Sequence, residues 1–310
     1  GITTVGGNAF VAPATYDALS VLDDVGRADI PVCEGSDVPL AGFKDLDQEF
    51  SLIGHLTYLG AYADIDRYTT DYAQAVTLAS TDLAAPTIAP SDESAVDFMI
   101  REVHAHPGQV TILAVGACTN VAEAIQKDPT LADDAAGIIY MGGVFDVPGQ
   151  DLPSIEYNWW YDPEAVDVCL HAAWRKQTIV PHDVGAIITH GADVYERLRG
   201  NDTTELTSLL VKHLSAIYDA GMTEDPVYCW DPAVVATLLC PSLVTDEETR
   251  DVAIITARDA AYGSSFAWKE GTGPDSAVAC SVVFALDRVT FWEFTCDLYA
   301  IDTTGYDMRS

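Results

Sequence analysis

Basic residues are scarce in this chain: 15 lysines and arginines stand against 48 aspartates and glutamates in 310 residues, a formal charge of −33. Holding the phosphates of a nucleic acid takes a basic surface, so a nucleic-acid partner is excluded. No run of eighteen or more apolar residues occurs, which removes a membrane-spanning helix. The seven cysteines (Cys33, Cys118, Cys169, Cys229, Cys240, Cys280 and Cys296) form no CxxC pair, so zinc and dithiol motifs are absent. They sit mostly in apolar runs such as Leu238-Leu239-Cys240 and read as small buried hydrophobes of a reducing compartment. With no secretory leader visible, the cytoplasm is the expected location, and the Asn201-Asp202-Thr203 sequon carries little meaning there. Linkers, internal repeats and low-complexity tracts are also missing.

What the chain does have is core material. Hydrophobic residues make up 49%, far too many for a disordered acidic polymer. The acidic excess reads as a strongly solvated surface suited to salt, or as a field that admits neutral and cationic ligands.

Short apolar runs alternate with helical periodicity. Strands are predicted at Ile2–Val5, Ile30–Cys33, Val110–Val115, Gly137–Met141, Thr178–Val180, Val252–Thr256 and Ala277–Phe284. Helices are predicted at Ala12–Val25, from an N-cap at Ser91 to Pro107, after Gly116–Asn120, and at Asp162–Ala173, Thr204–Ala220, from Asp231, and at Val289–Tyr299. Val110–Val115 is apolar throughout and is expected to be buried on both faces. The weakly periodic segment Asp37–Ala89 reads as surface helices or a lid over a site. This alternation predicts one α/β domain over residues 1–310, built on a mostly parallel, doubly wound, Rossmann-like sheet with helices on both faces.

In such sheets the ligand site lies beyond the carboxyl ends of the strands. Three polar clusters fall there: Asn8 after the first strand, Gly116 to Asn120 after another, and the stretch from Tyr140 to Pro163 after a third. That last stretch holds a Gly142-Gly143 turn and then Glu156 and Asn158. Read as extended chain, this pair points to one side and offers an acceptor and a donor for ligand hydroxyls.

At this point the residues resemble a known family. GITTVGGN (Gly1–Asn8), LAVGACTN (Leu113–Asn120), YMGG (Tyr140–Gly143), EYNWWYDP (Glu156–Pro163), PHDV (Pro181–Val184) and WDPA (Trp230–Ala233) are similar, in order and rough spacing, to the motifs of the inosine/uridine-preferring nucleoside hydrolases. The resemblance implies hydrolysis of the N-glycosidic bond of ribonucleosides with the help of a bound calcium ion, and a homo-oligomer. It implies that Asn8, Glu156 and Asn158 hold the ribose, that Met141 packs on the sugar, and that Gln150 stands where the family has a sugar-contacting asparagine. It also implies that Asp231 and the carbonyl of Val115 ligate calcium, an ion that takes carboxylate and carbonyl oxygens.

Two departures from the family pattern matter. The family opens with a strand and turn carrying an aspartate cluster of the form DxDxxxDD, which supplies the general base and further calcium ligands. That cluster does not precede Gly1, so the expectation is a chain lacking its first strand and turn. Where many members carry a histidine before the later calcium aspartate, Trp230 stands here. This resembles the purine-specific branch, in which a tryptophan stacks on the base, an interaction of roughly 1–3 kcal/mol. Asp183 is expected to support the metal site or cap a turn, Trp159 and Trp160 to divide between core and site wall, and Tyr228 to line the base side or pack. His55 reads as a surface residue. Two alternatives stay open: a nucleoside- or ribose-binding pseudoenzyme, and a hydrolase of a modified nucleoside whose base pocket is reshaped by Asp37–Ala89.

Overall fold

The computed structural model describes residues 1–79, 83–149, 151–218 and 227–303. Eight strands are defined among them: β1 (Ile2–Thr4), β2 (Val32–Glu34), β3 (Thr111–Ala114), β4 (Gly137–Met141), β5 (Gln177–Val180), β6 (Val244–Ile254), β7 (Ser265–Lys269) and β8 (Val278–Leu286). β1 and β2 form a parallel pair, and the other six form one sheet in the order β3-β4-β5-β8-β6-β7. The pairings from β3 through β4 and β5 to β8 are parallel, while β6 runs antiparallel to both β8 and β7. The architecture is therefore the predicted mostly parallel α/β sheet surrounded by helices, with an antiparallel end that was not foreseen.

β4 is buried at all five positions and shows how the core is divided. Successive side chains on a strand point to opposite faces. Ile138 and Tyr140 thus join Ile179, Val282 and Trp159 in one cluster, while Ile139 and Met141 join Val180, Val283 and Phe291 in another. Both faces of the central sheet are covered.

Several local expectations are corrected. β6 begins at Val244, eight residues before the predicted start at Val252, because its first half, TDEETR, is a solvent-facing polar strand. β7 was not foreseen at all. β3 is half-buried, not buried on both faces, because it lies at the end of the sheet and pairs with β4 alone among the described residues. The helix Ala95–Ala105 is capped by Ser94, which accepts from the Asp97 N–H at 3.1 Å, three residues later than predicted. Glu205–Tyr218 stands for the helix predicted to reach Ala220, which lies outside the described residues.

The segment after β2 folds into the helix Leu46–Ile53, a 3-10 stretch Gly60–Arg67 and a short helix Tyr72–Ala75. A buried polar cluster fastens it to the body of the fold. The ammonium of Lys44 donates to the Tyr262 hydroxyl at 3.2 Å and lies over the rings of Tyr262 and Trp160. Glu49 accepts from the Trp160 indole at 3.1 Å and from Arg258 at 2.9 Å. Tyr62 and Ala61 of the same segment are buried against Trp160 and Tyr161.

Candidate active site

The carboxyl ends of β1, β3, β4 and β5 open on one cavity of ≈ 240 Å³. Its walls bring together Asn8, Val115, Met141, Glu156, Asn158, His182, Trp230 and Asp231, and the segment after β2 adds Leu56 and Tyr58. Seven of the eight residues singled out from the sequence are thus gathered at one place. The eighth, Gln150, lies outside the described residues.

The local backbone differs from the extended reading of Glu156 and Asn158. Glu156 is the N-cap of the short helix Tyr157–Tyr161, and Asn158 lies within that helix. A carboxylate at an N-cap satisfies amides that have no intrahelical partner. Oε1 of Glu156 accepts from the Asn158 N–H at 2.8 Å, and Oε2 accepts from Trp159 at 3.1 Å and from Gly143 at 3.1 Å. A carboxylate has about four lone-pair sites, so three protein donors leave room for one ligand donor. The Gly143 bond explains the glycine turn after β4, where φ is +77°. Its neighbour Gly142 is needed for room: a Cβ there would lie 1.9 Å from the Trp159 indole nitrogen.

The donor assigned to Asn158 is also used inside the protein. Its Nδ2 donates to the Met141 carbonyl at 3.2 Å and lies 3.1 Å from the Met141 sulfur and 3.5 Å from the Val115 carbonyl. Surrounded by acceptors, the amide must turn its nitrogen to them, which leaves the carbonyl oxygen for a ligand. Glu156 and Asn158 therefore present two acceptors, not an acceptor and a donor. That combination suits neighbouring hydroxyl groups.

Two of the three acidic groups that line the cavity, Glu156 and Asp231, are shifted upward. Burial raises the Glu156 carboxyl to about 7 despite its three amide donors, and the charge of Asp231 nearby adds to the rise. Desolvation raises Asp231 to about 6. Its side chain makes no hydrogen bond or ion pair among the described residues.

The other wall is aromatic. Trp230, the residue before the helix Asp231–Leu239, stacks on Tyr228 with centroids 5.6 Å apart and rings at 17°. His182, just past β5, lies 6.0 Å from Trp230 at 27° and 6.2 Å from Tyr228. Three distances near 6 Å make a triangle of roughly parallel rings, not a linear stack. Gly185 admits the indole, since a Cβ there would meet Trp230 Cδ1 at 2.1 Å. Sequence patterns assign His182 no role beyond membership of the PHDV motif. Its position after a parallel strand at the ligand edge was the available signal.

Other expectations resolve plainly. Trp159 and Trp160 are both fully buried, so neither forms a site wall. The tight turn after β4 and the segment after β2 cover them. Asp183 caps the loop after β4, accepting from Phe145, Asp146 and Val147 at 3.0, 2.7 and 3.2 Å. His55 is exposed and packs on Phe50. Six of the seven cysteines are buried and all are free. No helix among the described residues is long and apolar enough to cross a membrane.

For calcium, the residues present offer part of a shell. Asp231 and the Val115 carbonyl are suitable oxygens, but calcium takes six to eight. No group of three or more His, Cys, Asp or Glu side chains placed to hold a metal occurs among the described residues. They do not complete a calcium cage, and no chemical step is assigned to the ion below.

The fold and cavity define an α/β protein with two outward-facing acceptors, Glu156 and Asn158, beside an aromatic wall. Residues 1–293 match the profile of the inosine-uridine preferring nucleoside hydrolases, and the chain belongs to that family of ribonucleoside-hydrolysing enzymes. It is 31% identical over 256 residues to a probable uridine nucleosidase 2 of Arabidopsis thaliana, a match covering 80% of this chain and 71% of that one. A pyrimidine-specific ribonucleoside hydrolase of Shewanella woodyi is 28% identical over 300 residues, covering 94% of this chain and 86% of the relative. Among solved structures, a plant nucleoside hydrolase superposes with a TM-score of 0.75 at 26% identity, covering 96% of this chain and 89% of the other.

Proposed function

We propose that the chain hydrolyses purine ribonucleosides to free base and ribose, with the sugar at Asn8, Met141, Glu156 and Asn158 and the base against Trp230. The observation that carries this reading is the meeting of two outward acceptors, a carboxylate without protein partners and an indole around one cavity. Ribose offers adjacent hydroxyls as donors to Glu156 and Asn158. The C1′–N bond breaks with its electron pair leaving on the base, water adds its oxygen to C1′ and gives up a proton to solvent, and the departing base takes a proton from solvent. Positive charge that builds on the sugar is favoured by the carboxylates of Glu156 and Asp231.

Calcium belongs to this reading as a proposal: Asp231 and the Val115 carbonyl would form one side of its shell. The purine preference rests on Trp230, whose two-ring plate matches a two-ring base. The names of the relatives favour a second reading, in which uridine is the better substrate.

A reducing-sugar assay with inosine, adenosine, uridine and cytidine, calcium present, separates the two. Purines turning over with the higher kcat/KM, and Trp230→Ala losing roughly 5- to 100-fold on them, is the expected result for a stacking contact of this size. Uridine cleaved as well as inosine would strike out the purine assignment and leave the hydrolase assignment standing. Bound nucleoside with no ribose released would make the chain a binding protein.

A further inference from the structure

We propose that His182 is the hydrogen-bond donor to the base of the bound nucleoside, a role that neither composition nor family resemblance assigned to it. The inference rests on the nucleoside reading above. His182 lines the same cavity as Glu156, Asn158 and Asp231 and belongs to the ring triangle on the aromatic wall. Its position is fixed from the backbone: the His182 N–H donates to the Gly143 carbonyl at 2.9 Å. The turn that donates to Glu156 therefore also sets the imidazole, coupling the sugar end of the cavity to the base end.

The other rings of the triangle do not supply this function. Trp230 is the natural plate for a base, but its indole N–H is buried without a partner and packed against Gly185. Tyr228 lies beyond the residues that line the cavity. Two other polar lining residues are already engaged. The Asp151 carboxylate accepts from the amides of Thr57 and Tyr58 and from the Thr57 hydroxyl, and Tyr157 donates to the carbonyls of Gly7 and Leu59. Neither ring nitrogen of His182 has a hydrogen-bond partner among the described residues, although the residue is only 9% exposed.

The unpartnered ring nitrogens are not sealed in the interior, and His182 lines the cavity, where a ligand acceptor can reach them. Burial also lowers the imidazole's pKa, so at neutral pH the ring is uncharged and holds one N–H and one acceptor nitrogen. Nucleobases carry ring-nitrogen and carbonyl acceptors, and electron density grows on them as the C1′–N bond lengthens. A donor aimed there strengthens as the reaction proceeds, which raises kcat more than it lowers KM.

Two variants and two substrates test this. His182→Phe keeps an aromatic plate but removes the N–H, and His182→Gln restores a donor. With inosine or uridine, His182→Phe is expected to lose roughly 10- to 100-fold in kcat with a small change in KM, and His182→Gln to recover part of it. With p-nitrophenyl β-ribofuranoside, whose leaving group departs easily and has no nucleobase acceptor, the loss is expected to be several-fold smaller. Equal losses on both substrates would assign His182 to structure and overturn the proposal, as would full activity of His182→Phe on nucleosides. If the wild-type chain cleaves no nucleoside, the hydrolase reading fails. The contact itself is then decided by the imidazole 15N resonances of His182 with inosine: a ligand-induced shift upholds it, and unchanged resonances overturn it.

Discussion

Glu156 caps a helix, braces the glycine turn and offers one remaining lone pair to the cavity. Its raised pKa has a consequence for stability. In the unfolded chain a glutamate titrates near 4.3, whereas the folded group titrates at about 7. Between these values the folded protein holds a proton that the unfolded chain has lost. Stability is then highest below the unfolded value and falls as pH rises towards 7, by roughly 1.4 kcal/mol per unit for one proton. Metal-free protein unfolded by denaturant at pH 5, 6 and 7 should show this decline, and Glu156→Gln should flatten it. An unchanged slope in the variant would place the linkage elsewhere, with Asp231 the next group to test. At this scale the sequence was informative about which residues meet, because they follow strands at one sheet edge. It was silent on polarity: Asn158 turns its nitrogen to Met141 and Val115, which leaves its oxygen towards the cavity, and both partners come from distant turns.

Elements were legible where a helix or a fully buried strand left a pattern. β4 and β5 were found within one residue because both lie in the covered middle of the sheet. β6 escaped because Asp246, Glu247 and Glu248 have the composition of a loop, and only its last residues carry apolar alternation. β7 is short and gains its place from pairing with β6. The segment after β2 was open in the sequence because its anchors are polar. Burial lowers Lys44 to about 8, while the nearby charges of Glu49 and Glu164 favour its ammonium, which donates to Tyr262 and lies over two rings. Removing Glu49 leaves Lys44 and Arg258 without their shared carboxylate, so Glu49→Gln should cost about 3–5 kcal/mol. Lys44→Met removes the buried charge itself and should be close to neutral. Urea unfolding of both variants checks the asymmetry, and equal costs would mean that the cluster does not act through charge.

For the whole molecule, the charge of −33 works against compactness. Like charges on a folded surface repel, and the range of that repulsion shrinks from about 10 Å at 0.1 M salt to about 3 Å at 1 M. The ion pairs present are mostly exposed, so their loss in salt costs little. Thermal unfolding of metal-free protein is therefore expected to shift upward as sodium chloride is raised. A flat or falling midpoint would show that the acidic groups are spaced widely enough to ignore one another. The whole-molecule architecture was the most legible level, since alternating strands and helices constrain topology strongly. The antiparallel end was not, because hairpin pairing leaves no comparable signature in polar residues.

The ring triangle around Trp230 gives the cavity an optical reporter of its own. Trp159, Trp160 and Trp292 are sealed in the interior, so their emission should be largely indifferent to what enters the cavity. Trp230 borders the cavity and lies beside an imidazole, so an incoming aromatic ring changes its surroundings directly. Ligand occupancy can accordingly be followed by light alone, without waiting for a bond to break.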